Sequence, residues 1–130
     1  MAPELAAALK DPDPVVRGLA ALALGNCGGC AQAALGHLID ALKDRDESVR
    51  MVTAEALASL GTEAAPALSG LIQAAQLAGE HIHVQRSLAK ALGAIGPAAA
   101  PAIPVLEQLR KSPRVRWPAE AAVRRIKALP

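Results

Sequence analysis

The chain has 130 residues, a net charge of +2, one Trp and neither Phe nor Tyr. That length suits one domain with a real core. A core of Ala, Leu, Ile and Val, with Ala the strongest helix former, points to an all-helical protein whose helices pack closely across thin side chains. The near-neutral total excludes no partner class, but the charge is uneven: residues 110–130 carry seven bases against one acid, and the rest seven bases against eleven acids.

In chain order, Pro3 to Lys10 is the first predicted helix, barely two turns long, with Leu5, Ala6 and Leu9 apolar. Met1 leads into Pro3 and Glu4 without a basic n-region, so no secretory signal is expected. The stretch "ALKDPDPVVRGLAALALGNCG" from Ala8 then returns as "ALKDRDESVRMVTAEALASLG" from Ala41, an offset of 33 residues. Asp13 and Asp46 are predicted N-caps of second helices, with Pro14 in a first turn. The first helix of unit two shows one apolar stripe, Leu35, Leu38, Ile39 and Leu42, at i, i+3, i+4 and i+7. Leu68, Leu71, Ile72 and Ala75 repeat it in unit three, and Ala102, Val105, Leu106 and Leu109 in unit four. Further copies of the second helix are "VQRSLAKALGAIG" from Val84 and "VRWPAEAAVRRI" from Val115. Pro66 and Pro101, in the recurring "AAPA", read as first-turn prolines, and Pro118 predicts a last helix that begins near Trp117. The units run at about 1–28, 29–61, 62–96 and 97–130.

Gly18 to Ile39 is an uncharged run of 22 residues. It is long enough to span a bilayer, but Gly25-Asn26 and Gly28-Gly29 divide it into two helices. No membrane span is expected, and the expected compartment is the cytoplasm.

The pattern D-P-D-P-x-V-R-x-x-A-x-x-A-L-G, complete from Asp11 to Gly25, resembles HEAT repeats, in particular the short HEAT-like type of phycobilisome lyases. The resemblance covers essentially the whole chain, most fully in units one and two. It implies an α-solenoid of four two-helix repeats whose second helices line a concave face. It also implies a ladder of side chains between units, here Asp11, Arg17, Asp44 and Arg50. Arg50 is expected to bond to the Asp44 region and to unit one. Gln85 stands in the arginine's place in unit three, and Gly79 and Arg110 in the acid's, so the ladder is expected to break in the second half.

The two cysteines, Cys27 and Cys30, invite three readings: structural, redox-sensitive or metal-binding. Cys27 falls ten residues after Arg17, in the slot that Leu60, Ile95 and Ile126 fill elsewhere. A small core hydrophobe suits that slot, with Gly28 as a turn glycine like Gly61 and Gly96. Zinc would need four ligands, and His37, His81 and His83 are badly spaced for it. His81 and His83 read as surface-loop residues, since i, i+2 does not place two side chains on one helix face. No metal, cofactor or catalytic group is expected.

In a solenoid, equivalent positions form columns across units. The position after the arginine reads Gly18, Met51, Arg86 and Trp117; four residues on it reads Leu22, Glu55, Lys90 and Ala121. Both columns should face the concave groove, and Trp, Arg and Met are enriched at interfaces. The partner-binding candidates are therefore Leu22, Met51, Glu55, Arg86, Lys90 and Trp117. Some HEAT-like proteins are alkylpurine DNA glycosylases, but the basic end here is no stripe across units, so a protein partner is expected. The expected function is a non-catalytic protein-binding scaffold. The alternative that the resemblance offers is a bilin-lyase-like protein that holds a chromophore or assists its attachment. The thin cover on Leu5, Ala6 and Leu9 predicts self-association through the N-terminal unit.

Overall fold

The computed structural model describes residues 2–26, 31–77 and 80–128. It is all-α, eight α-helices among the described residues: α1 Ala2–Ala8, α2 Pro14–Gly25, α3 Ala31–Ala41, α4 Glu47–Leu60, α5 Leu68–Gln76, α6 Ile82–Ile95, α7 Ile103–Leu109 and α8 Arg116–Ile126. They pair in sequence, and the pairs stack into the expected solenoid. The uncharged run divides between α2 and α3. A second stretch, Ile82–Leu109, is long and apolar enough to cross a membrane by length and composition. It comprises α6, a 3-10 segment and α7, and is broken at Gly96, whose φ is +83°.

Side-chain caps set the starts of α2, α4 and α6. Asp13 accepts from the Val15 amide, with Pro14 in the first turn of α2. Asp46 accepts from the Ser48 and Val49 amides. In α6 the same slot is held by His81, whose ring Nδ1 accepts from the His83 amide at 3.2 Å. His83 is thus the second residue of α6 rather than a loop residue; both histidines are exposed, as expected, and their rings stack at 5.1 Å. Helix α8 begins at Arg116, so Pro118 lies in its first turn, where no amide donor is needed. Cys27, Gly28 and Cys30 lie outside the described residues.

Pro66 and Pro101 sit elsewhere than expected. Each lies in a seven-residue 3-10 segment, Gly61–Ala67 and Gly96–Ala102, that precedes α5 and α7. A 3-10 helix aligns residues three apart, and the fully buried pairs Ala64/Ala67 and Ala99/Ala102 keep that spacing. Gly61 and Gly96 open these segments at φ +59° and +83°, the left-handed region open to glycine.

The core runs the length of the stack between the two helix layers. Leu24, Leu38, Leu57, Leu71, Leu88, Leu92, Ile95 and Leu106 are its largest fully buried side chains. Helices α2, α4, α6 and α8 pack on one another in series, whereas α1, α3, α5 and α7 touch one another far less. The closer layer lies on the inside of the curve, so the second helices form the concave face. Small residues permit the approach. A Cβ on Gly25 would lie 2.6 Å from the Ala56 Cβ, and one on Gly93 would lie 2.9 Å from the Ala122 Cα. The positions four and eight after the ladder arginine read Ala21/Gly25, Ala54/Ala58 and Ala89/Gly93, then change to Glu120/Arg124 on α8.

The ladder runs forward, not back. The Arg17 Nε–H donates to Asp44 Oδ2 at 2.9 Å and Nη2 to Oδ1 at 3.1 Å, while Nη1 holds the Asp11 and Pro12 carbonyls of its own loop. Arg50 holds the Asp44 carbonyl and donates to both oxygens of Glu80, at 2.8 and 2.9 Å, in unit three rather than unit one. Glu80, one place after Gly79, supplies the acid that strict counting missed, so the ladder reaches one step further than expected. Beyond it, Arg86 Nε donates to the Arg114 carbonyl at 2.9 Å, which ties units three and four through backbone. Burial raises the pKa of Asp44 and is the largest single influence on it. The Arg17 hydrogen bonds, the Asp46 amide and nearby positive charge together outweigh burial and hold it below its ordinary value. Glu80 is lowered by the same balance, with Arg50 and the His81 amide opposing burial.

The N-terminal edge differs from the expectation in one respect. Leu5 of α1 and Leu9 in the turn after it are half-buried and pack against the core. The exposed apolar side chains are on α2: Val15 at 64%, Leu19 at 60% and Leu22 at 42%. Val16 is also half-buried, although Val49, Val84 and Val115 in the same column are fully buried. In units two to four that face receives the preceding second helix.

Arg50→Ala leaves Glu80, whose side chain is 4% exposed, without its cation, and is expected to cost about 1–3 kcal/mol in urea unfolding. Because both acids titrate below their unfolded values, their contribution is complete above the ordinary carboxyl range of about pH 4 and is lost as pH falls through the folded values. Arg50→Ala should therefore flatten the acid limb of the stability–pH curve; an unchanged limb would remove Glu80 from the ladder.

Candidate partner-binding face

Among the described residues, the concave layer carries three successive grooves. Between α2 and α4 lies an apolar one of about 210 Å³, lined by Val15, Gly18 and Leu22 on one side and Ser48, Val49 and Val52 on the other. Between α4 and α6 lies a smaller one of about 110 Å³, where Met51 meets His81, His83 and Val84. Between α6 and α8 lies the most developed, about 330 Å³. Its walls are Arg86 and Lys90 on α6 and Trp117, Ala121 and Arg125 on α8, and Ala89, Gly93 and Ala122 form its floor.

Of the six residues singled out from sequence, the structure brings Glu55, Arg86, Lys90 and Trp117 together in the α6–α8 groove. Met51 lies in the middle groove and Leu22 in the apolar one. Trp117 is 77% exposed although it is the largest apolar side chain in the protein. Glu55 reaches over from α4 and accepts a hydrogen bond from Ser87 Oγ at 3.3 Å. Because Ser87 is on α6, that bond fixes the acid at the α4–α6 edge of the groove, with Lys90 and Arg125 further toward α8. Among the described residues, neither Lys90 nor Arg125 has an ion-pair partner.

Sequence reasoning missed Ser87, Gly93 and Arg125. Arg125 lies nine residues after Arg116, one helical repeat beyond Ala121, so a third column would have found it. Gly93 carried no signal by itself, because its role depends on Ala122 of the next unit. No group of three or more His, Cys, Asp or Glu residues suited to a metal occurs among the described residues.

The family model for HEAT repeats matches residues 2–79. This chain belongs to the HEAT-repeat family. The model of the PBS lyase HEAT-like repeat matches residues 84–111, so both halves carry the signature. No curated protein sequence matches the chain. Among solved structures, human deoxyhypusine hydroxylase is similar at 29% identity and a TM-score of 0.79, over 98% of this chain and 44% of that one. The complex of CpcE and CpcF of phycocyanin lyase from Nostoc sp. is similar at 33% identity and a TM-score of 0.74, over 98% and 53%. An engineered protein at 23% identity and a TM-score of 0.78, over 96% and 63%, shares the fold. This HEAT chain thus spans from less than half to under two thirds of these structures, and its structural relatives include enzymes.

The groove floor yields a paired test. Gly93→Ala adds a methyl 2.9 Å from the Ala122 backbone, which cannot swing aside. Overpacking of about 1–3 kcal/mol should outweigh the gain in helix propensity of about 1 kcal/mol. Gly36→Ala, exposed in α3 with open space around it, should instead stabilise by about 0.5–1 kcal/mol. Stabilisation of both in urea melts would contradict the close α6–α8 approach.

Proposed function

We propose that this HEAT chain is a non-catalytic scaffold that binds a protein partner along the concave layer of α2, α4, α6 and α8. The observation that carries the reading is the α6–α8 groove, where an exposed Trp117 stands beside Arg86, Lys90 and Arg125 over a small-residue floor. Exposed Trp and Arg in a concave patch are the usual anchors of protein interfaces. Leaving an indole three-quarters in water forgoes on the order of 1–2 kcal/mol of burial, which a partner would recover. The test is cross-linking in extract of the source organism, with wild type against a Trp117→Ala/Arg86→Glu double variant. A partner captured by the wild type should be lost from the variant while helicity by circular dichroism is unchanged. Equal capture by both would remove the concave face from the function.

A second reading has its own support: the likeness to the phycocyanin lyase complex, together with a cationic groove beside an indole that suits a flat pigment bearing carboxylates. In it the chain holds a bilin or assists its attachment. Addition of a bilin should then shift its visible absorption band; an unshifted band excludes this reading.

The N-terminal edge is the second contact surface in our proposal, and it serves self-association. Val16, Leu19 and Ala23 occupy the face that receives a preceding helix in the other units, and Leu19 is 60% exposed. Light scattering should report a dimer that Leu19→Glu disperses and Leu5→Glu does not, since Leu5 packs inward. A monomer at up to about millimolar concentration, the range of very weak association, would exclude pairing through this edge.

A further inference from the structure

We propose that the partner segment is an extended stretch of polypeptide whose acidic end, carrying one apolar anchor, sits in the α6–α8 groove and whose apolar end sits between α2 and α4. The inference rests on the scaffold reading and adds the chemistry and direction of the occupant. Three cations, Arg86, Lys90 and Arg125, face that groove against the single carboxylate of Glu55. Ser87 Oγ on α6 holds the Glu55 carboxylate at the α4–α6 edge of the groove, so negative charge on an occupant is favoured toward α8, where the three cations outnumber it, and repelled at that edge. Trp117 and the Ala89–Gly93–Ala122 floor supply the apolar seat for one side chain.

At the other end of the layer the surface changes character. The α2–α4 groove is walled by Val15, Leu22, Val49 and Val52 and carries no charged residue. It attracts an apolar side chain and desolvates an acid at a loss. The two grooves are two helix spacings apart, about 16–20 Å at 8–10 Å per spacing. Extended chain covers that distance in about five or six residues at roughly 3.3 Å each. The segment therefore reads acidic with an apolar anchor, then a spacer of that length, then a second apolar residue. A nucleic acid fits this layer less well. Its backbone needs a cationic track that continues along the strand, and its bases need several aromatic platforms, whereas here the charge ends at α4 and Trp117 is the only aromatic ring of its kind in the chain.

The experiment is selection of random twelve-residue peptides displayed on phage against the purified protein. Peptides that also bind an Arg86→Glu/Lys90→Glu/Arg125→Glu variant are removed. Emission of Trp117, the only tryptophan, then follows binding of the selected peptides, which are synthesised without tryptophan. Expected are sequences rich in Asp and Glu beside Leu, Ile or Phe, with a second apolar position about five or six residues away. Their affinity should fall at least tenfold in the charge-reversed variant and weaken with added salt. Leu22→Ser should weaken only peptides that carry the distal apolar residue. Peptides that need Trp117 but lack acidic enrichment would overturn the proposed chemistry and leave the scaffold reading standing. Selection of basic peptides, or displacement of the peptides by a single-stranded oligonucleotide at equal affinity, would also overturn it. Failure to recover any peptide that prefers the wild type would sink both this inference and the scaffold reading. All three substituted cations are exposed; should the triple variant not fold, Lys90→Glu and Arg125→Glu separately carry the same comparison.

Discussion

The dependent feature of this molecule is the contact between successive second helices. Where Gly25 meets Ala56 and Gly93 meets Ala122, no side chain larger than a methyl lies between the backbones. The first helices carry leucine and isoleucine toward the core and stand further apart. A difference in spacing between two layers is curvature, and the curvature puts α2, α4, α6 and α8 on the inside. It also makes the grooves. Helices that touch at small residues diverge where side chains are larger, and the openings between them are the depressions described on the concave face. An alanine-rich composition is therefore more than a helix-forming one here, because it sets the radius of the solenoid.

The polar ladder acts on a different part of the structure. Each arginine holds carbonyls of its own inter-helix loop and a carboxylate of the next unit, so loops that would otherwise be set only by their short sequence are locked to one another. Such pairs add modestly to stability in water but leave a heavy penalty when half of one is removed. Their main effect is registry. The first three units are pinned in sequence, and the last is pinned by an arginine on a backbone carbonyl, a bond that tolerates any side chain at Arg114.

Much of the fold was legible because translation along a solenoid preserves local chemistry. The 33-residue offset located both well-formed caps, Asp13 and Asp46, and the late start of α8 followed from the missing amide of Pro118. What counting could not see was a longer side chain one place away. Glu80 reaches the arginine that an aspartate at position 79 would have reached, and no fixed register expresses that trade. The 3-10 segments escaped for a related reason: "AAPA" suits an α-helical first turn as well as a 3-10 turn, and only the burial of Ala64 with Ala67 distinguishes the two. For the concave face, the columns selected residues that do meet, Glu55, Arg86, Lys90 and Trp117. The floor was invisible, since Gly93 matters through Ala122, which is 29 residues away in a unit that the repeat pattern marks only faintly.

The last pair of edge positions gives the stack a polarity. Inside the solenoid the positions four and eight residues after the ladder arginine are alanine or glycine, and on α8 they are Glu120 and Arg124. A helix laid against α8 as α8 is laid against α6 would meet two long charged side chains where it needs none. At the opposite edge, Val16, Leu19 and Ala23 offer the kind of surface that each inner unit already accepts. Concatenation is thus one-way: a repeat grafted ahead of α1 meets a compatible seat, whereas one grafted behind α8 first requires Glu120→Ala and Arg124→Gly. Anyone lengthening this solenoid to widen its concave face would build from the front.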